Sequence, residues 1–270
     1  MTKIKNFELS VVLPVLNEEM NLKFLINDFI TIFNNYELQN YEILIIDDGS
    51  DDGTEELCNE FNTRDNRIKF FRRKPPKSLP LSIYDGINKS KYQNVMWLDA
   101  DGSMSAASAI ELITRYNESD NQVVIGSRFV EGGGYKGVQD LSNNSFIKSI
   151  RNINKSKDTV SGMIASTVFN KLLNLILNIE IKDLTSGFIV GKKALFKKSY
   201  FENMQYGEYF IYLISDLKRR DISIGEVGYV CGTRQYGISK TASSIFQLIK
   251  RGLPYLNAAN YCRKLKNGNI

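Results

Sequence analysis

Two aspartates with one small residue between them, Asp99 and Asp101, follow the apolar run 95–98 (Val-Met-Trp-Leu). Such a run reads as a buried parallel strand. Residues i and i+2 at an extended strand end point the same way, so both carboxylates aim into the crevice at the carboxyl edge of the sheet. Two unpaired carboxylates this close repel each other and are costly beside a dry core. A divalent cation relieves both problems, and hard oxygen ligands with open positions suit Mg²⁺ or Mn²⁺ bridging to phosphates. The plainer alternative is a solvated Asp-Gly turn.

The chain contains no histidine. Histidine-ligated zinc, Ser-His-Asp or Cys-His catalysis and imidazole acid–base chemistry are therefore excluded. What remains is carboxylates, a metal, cations and the substrate's own charge. Net charge is +5, which suits anionic substrates and is too weak to argue for nucleic acid. The three cysteines are scattered without paired spacing and read as reduced thiols of a cytoplasmic protein. The first residues lack a signal-peptide apolar stretch, and no segment has the length and hydrophobicity of a transmembrane helix.

The elements that must hold these groups alternate between strand and helix. Residues 9–15 form a strand, and Asn17 is a candidate N-cap for a helix carrying Leu22, Leu25, Ile26, Phe29 and Phe33. A second strand, 41–46, ends in the acidic loop 47–54, where Asp48 is either a nucleotide ligand or part of a helix-capping loop. After strand 68–71, Arg72, Arg73, Lys74 and Lys77 form a basic run that faces phosphates or solvent. Helices are expected at 81–89, 106–116, 161–179 and 206–220, and strands at 122–126, 188–190 and 222–230. Helix 161–179 carries Ile164, Val168, Leu172, Leu175 and Ile176 on one face. The polar segment 137–157 reads as a loop. Residues 241–270 are amphipathic and basic, fit either to lie on an anionic membrane or to pack on the domain or a partner subunit.

The stretches LSVVLPVLNEEMNL, YEILIIDDGSDDGT, VMWLDADGS, VVIGSRFVEGGG, DLTSGF and RQYGISK follow one another in order. Together they resemble a family 2 glycosyltransferase, within it the dolichol-phosphate mannose synthase and polyprenyl-phosphate glycosyltransferase branch. The resemblance implies a GT-A fold, a Rossmann-like α/β three-layer sandwich with a mostly parallel central sheet. The domain would span residues 1–240, with 241–270 as the helical tail. It implies inverting transfer of a sugar from a UDP- or GDP-sugar to a polyprenyl phosphate or other membrane-linked acceptor, with Mg²⁺ or Mn²⁺ as cofactor. Pro14, Val15 and Glu18 would border the nucleotide, and Asp48 would contact the base. Lys77 opens the stretch that matches the family's Lys-Gly-Leu-Gly. Asp99 and Asp101 would hold the diphosphate through the metal, with Ser103 at the place of a third ligand, a position that is glutamine or similar in the family. Arg128 would reach into the site, Arg234 and Lys240 would clamp the diphosphate, and Asp183 with Ser186 and Gly187 would line the sugar and acceptor pocket. Arg151, Lys155 and Lys157 stand where the family has acceptor-phosphate arginines.

A lipid phosphate needs no base, whereas a saccharide hydroxyl acceptor does. Asp183 is the candidate base for that second reading. A non-catalytic nucleotide-sugar binding module is the remote alternative, and a nucleotidyltransferase is disfavoured because 14–18 lacks a glycine- and base-rich loop. The expected location is the cytoplasm, alone or peripheral on the inner face of the cell membrane, as monomer or homo-oligomer.

Overall fold

Strands β1 (Glu8–Val15) and β2 (Asn40–Asp47) are buried at every residue after the first, as expected for strands covered on both faces. Their side chains alternate between two cores. Leu9, Val11, Leu13, Tyr41, Ile43 and Ile45 enter one, while Val12, Leu44 and Ile46 enter the other. The structure, a computed structural model, describes residues 4–135, 157–204, 206–232 and 245–266, with backbone alone at 157–163 and 245–251.

The remaining strands are β3 (Ile68–Arg72), β4 (Asn94–Trp97), β5 (Val123–Ser127), β6 (Gly134–Tyr135), β7 (Ile189–Lys192), β8 (Ile224–Gly228) and β9 (Val230–Cys231). The helices are α1 (Glu19–Asn35), α2 (Thr54–Arg64), α3 (Leu79–Lys89), α4 (Ala106–Glu118), α5 (Lys157–Leu177), α6 (Tyr209–Arg219) and α7 (Ile245–Lys266). The main sheet runs β3-β2-β1-β4-β7-β5-β8. Only β7 is antiparallel to its neighbours. Helices α1, α2 and α4 cover one face, and α3, α5, α6 and α7 the other. The mostly parallel three-layer sandwich expected from the sequence is what the chain adopts. Strand order reverses between β1 and β4, and the register Val12↔Trp97 places their carboxyl ends side by side. That switch point opens a crevice for a ligand.

One local reading changes, and one left open is narrowed. Asn17 is not a helix N-cap; it sits in the left-handed region (φ 58°), and Glu18 takes the cap position. Its side chain instead clasps the next loop, donating to Asp51 (2.6 Å) and accepting from the Asp51 N–H (3.0 Å). The basic C-terminal segment packs on the domain over its described side chains, with Ala258 and Ala259 fully buried in the second core. No helix among the described residues is long and apolar enough to cross a membrane.

Helix α3 lies so close to the sheet that a Cβ at Gly86 would collide with the Val12 and Ile46 side chains. Both are fully buried, so neither can give way. Gly86→Ala is expected to destabilise the fold by about 1–3 kcal/mol despite its better helix propensity. A urea titration with a midpoint at or above that of the parent would contradict this.

Candidate active site

Past the end of β4 the chain turns through Gly102 (φ 84°), which brings Asp99 and Asp101 to the crevice. The Ser103 N–H donates to Asp101 Oδ1 (3.0 Å), and the Asp99 N–H donates to Met104 Sδ (3.4 Å). The Gly232 N–H donates to the Ser103 carbonyl (2.8 Å), tying the loop to the end of β9. Any side chain at Gly232 would press on the Gly102 carbonyl. Ser103 thus supplies backbone groups that shape the turn.

Asp99 is pushed up to about 7, by burial first and then by the Asp101 charge, with Arg128 pulling the other way. Among the described residues no group donates a hydrogen bond to its carboxylate, and no cluster of three or more His, Cys, Asp or Glu side chains converges here. Two half-buried, mutually repelling carboxylates with no hydrogen-bonded cation among the described residues fit a divalent ion that takes its other ligands from substrate and water.

The opposite wall comes from the end of β5. The Arg128 backbone N–H and Nε both donate to Asp183 Oδ2 (2.9 and 2.8 Å), and Nη2 donates to Oδ1 (2.7 Å) and to Thr185 Oγ1 (2.7 Å). Burial would lower the guanidinium, but Asp183 and Tyr229 hold it well above its ordinary range. Asp183 is fully buried and also accepts from the Thr185 N–H (3.2 Å). Its own N–H and that of Lys182 donate to Glu226 (3.2 and 2.9 Å). The geometry gives Asp183 the place of a counter-ion to Arg128; a carboxylate with both oxygens occupied is poorly placed to act as a base. Ser186 is buried and Gly187 has φ 69°, with Tyr209 Oη beside it. That hydroxyl accepts from Trp97 Nε1 (3.0 Å), and burial followed by the Asp99 charge raises it.

The β2–α2 loop lies beside the end of β1 at the same carboxyl edge of the sheet. Pro14, Val15, Glu18 and Asp48 are all buried along it. Glu18 accepts from Asn21 Nδ2 (2.8 Å). Asp48 is ion-paired with Arg73 and accepts the Ser78 N–H, while Arg73 Nε also reaches Asp85 (2.7 Å). Asp47 accepts from Arg72 Nε (2.9 Å) and from the Gly49 and Ser50 amides (both 3.1 Å). Arg72 and Arg73, in a run read as facing phosphates or solvent, are committed to the loop's own carboxylates. Lys77 remains at the mouth, exposed, donating to the Gly49 carbonyl (3.1 Å). Asp52 accepts from the Glu19 N–H (3.2 Å) and the Thr54 N–H (3.1 Å), the capping use of these acids. The role of Arg73 was hidden in a charge run, and that of Glu226 in a strand whose partner is 43 residues away. Arg234, Lys240, Arg151 and Lys155, together with the side chain of Lys157, lie outside the described residues.

The sequence profile of Glycosyl transferase family 2 matches residues 10–202. A dolichol-phosphate mannosyltransferase of Pyrococcus furiosus is 26% identical over 246 residues, 90% of this chain and 62% of that protein. This chain thus spans less than two thirds of the Pyrococcus protein. A polyprenol monophosphomannose synthase of Mycolicibacterium smegmatis is 24% identical over 242 residues, 87% of this chain and 81% of the other. Among solved structures, the glucosyl-3-phosphoglycerate synthase of Mycobacterium tuberculosis, in complex with Mn²⁺, UDP and phosphoglyceric acid, superposes with a TM-score of 0.63. It is 15% identical, and the match covers 96% of this chain and 79% of that one. The mannosyl-3-phosphoglycerate synthase of Rubrobacter xylanophilus gives 0.62 at 15% identity, over 97% and 76%. At these identities the two structures establish a shared fold.

The Asp99 environment has a consequence for stability. Without a divalent cation the folded chain keeps this proton up to about 7, whereas an unfolded aspartate releases it near about 3.9. Between those values the unfolded chain binds fewer protons, so stability falls as pH rises from about 4 to about 7 and levels off above. Asp99→Asn should flatten that slope and be more stable than the parent above about pH 7, by up to about 4 kcal/mol. Denaturant titrations across pH in chelator check it; parallel curves for the two proteins would contradict it.

Proposed function

The chain belongs to glycosyl transferase family 2, and we propose that it transfers a sugar, with inversion, from a nucleoside diphosphate sugar to a polyprenyl phosphate. The observation that carries the acceptor is the occupied state of Asp183. With no histidine in the chain and both Asp183 oxygens held by Arg128, the site offers no free base at that position. A phosphate acceptor is already an anionic nucleophile and needs none. The named activities of the Pyrococcus and Mycolicibacterium relatives support the same reading.

In this reading Asp48, fixed by Arg73 and Ser78, presents its remaining lone pairs to the base, with Pro14, Val15 and Glu18 forming the floor. UDP is the first candidate donor, on the strength of the UDP and Mn²⁺ in the Mycobacterium complex. GDP is the other. Asp99 and Asp101 would hold Mg²⁺ or Mn²⁺, which when bound supplies positive charge to the leaving diphosphate. By the family resemblance Arg234 and Lys240 would add cations to the diphosphate, and Lys77, at the Gly49 carbonyl, would add one at the mouth. Arg128, held rigid by Asp183, projects positive potential toward Asp99 and the acceptor side. An acceptor phosphate oxygen attacks the anomeric carbon as the bond to the diphosphate breaks, inverting that centre.

Asp101→Asn keeps the size of the side chain and removes the charge. It should reduce transfer at least about 100-fold while leaving the fold intact. The assay is chromatographic detection of glycolipid formed from UDP- and GDP-sugars with Mn²⁺. Parent-like turnover by Asp101→Asn would exclude the metal assignment. In the same assay a short polyprenyl phosphate should accept sugar and the matching polyprenol should not. Equal use of the alcohol would mean that a base operates after all, favouring the saccharide-hydroxyl alternative.

A further inference from the structure

Helix α5 is turned inside out. Its inward face is partly polar: Asn170 is almost fully buried, with its Oδ1 accepting the Leu184 N–H (2.8 Å) and Nδ2 donating to Thr185 Oγ1 (3.0 Å), the hydroxyl that Arg128 also holds. Ser166 accepts from the Tyr135 hydroxyl (3.1 Å). Leu173 and Leu177 complete the buried side. The stripe of Ile164, Val168, Leu172 and Leu175, conspicuous in the sequence, faces outward at 39%, 60%, 42% and 79% exposure. At about 100° per residue these four fall within an arc of about 80°. Single exposed aliphatic residues are ordinary; four on one helix face call for something to cover them.

The charges around the stripe identify the cover. Lys171 borders the arc, about 20° beyond its edge, and is exposed. Helix α7 runs alongside α5, and Lys266 donates to the Asn178 carbonyl (3.2 Å) just past the end of α5. Lys266 is thereby held at the C-terminal end of α5, on a last turn of α7 that also carries exposed Arg263, Lys264 and Leu265 (36% exposed). Between residues 164 and 182 the one acid is Glu180. An apolar stripe flanked by lysine and arginine matches an anionic lipid surface, with the lysine stems lying along the acyl region and their ammonium groups at the headgroups. A second copy of this chain would bring like charges against one another across a two-fold axis.

We propose that the outward face of α5, together with the basic end of α7, seats the chain on an anionic membrane surface. The purpose of this contact rests on the lipid-phosphate acceptor reading, since the inner face of the same helix supports the Arg128–Asp183 wall. The test is flotation of the full chain with vesicles of phosphatidylcholine and phosphatidylglycerol. The parent should float, and Val168→Asp/Leu175→Asp should lower the vesicle-bound fraction at least about tenfold. Lys171→Glu, a single exposed change, should lower it as well. Thermal stabilisation by UDP- or GDP-sugar, measured without vesicles, should be the same for all three proteins. A double variant that floats as well as the parent would overturn the proposal. So would a parent that stays at the bottom, whether as a monomer or as a dimer that the double variant splits in light scattering. Failure of the parent to respond to either nucleotide sugar would count against the transferase reading instead and leave the flotation result standing.

Discussion

Among the described residues, the site is governed by a shortage of positive charge around Arg128. Three carboxylates among the described residues, Asp99, Asp101 and Asp183, face one guanidinium, and Asp183 takes most of its hydrogen bonds. Arg128 therefore acts on Asp99 only at a distance, and cannot offset both burial and the neighbouring Asp101. A fold can tolerate such a deficit by keeping a proton, which Asp99 does up to about 7, or by admitting a cation. The second course couples occupancy to an anionic substrate, because a divalent ion on two carboxylates still has open positions for phosphate oxygens.

The architecture makes the deficit durable. Asp99 and Asp101 follow a strand between β1 and β7, so they cannot retreat into solvent without dislodging Trp97 and Leu98 from the core. Asp183 and Arg128 come from chain positions far apart, joined through Glu226 on β8 and through Asn170 and Thr185 to α5. The acidic loop after β2 solves its own charge problem differently. Arg72 and Arg73 pair with Asp47 and Asp48, so that wall is preorganised before any ligand arrives.

How legible this was from the chain depends on the range of the interaction. Strands such as Glu8–Val15 and Asn40–Asp47 declare themselves, because a strand buried on both faces must be apolar throughout. The Asp99–Asp101 pair was legible for the same reason: charge at the end of a dry strand stands out. Asn17 was misread because its partner, Asp51, is 34 residues away. The run with Arg72 and Arg73 was left open between phosphates and solvent, because a charge run carries no record of which carboxylates lie opposite. Periodicity showed that α5 has an apolar face but not which way it turns; buried Asn170, paired with the 184–185 backbone and side chain, decides that. The described part of the C-terminal segment, equally ambiguous as a pattern, is fixed by two alanines small enough to let α7 approach the second core.

The central claim is that Asp99 and Asp101 hold a divalent cation shared with a nucleoside diphosphate. Calorimetric titration of UDP and of GDP, each with and without Mn²⁺, tests it most directly. The account predicts that Mn²⁺ raises the affinity of the parent for one of these nucleotides at least about tenfold, a coupling of about 1.4 kcal/mol. It predicts no such gain in Asp99→Asn/Asp101→Asn. The same Mn²⁺ dependence in both proteins, or none in the parent, would contradict it.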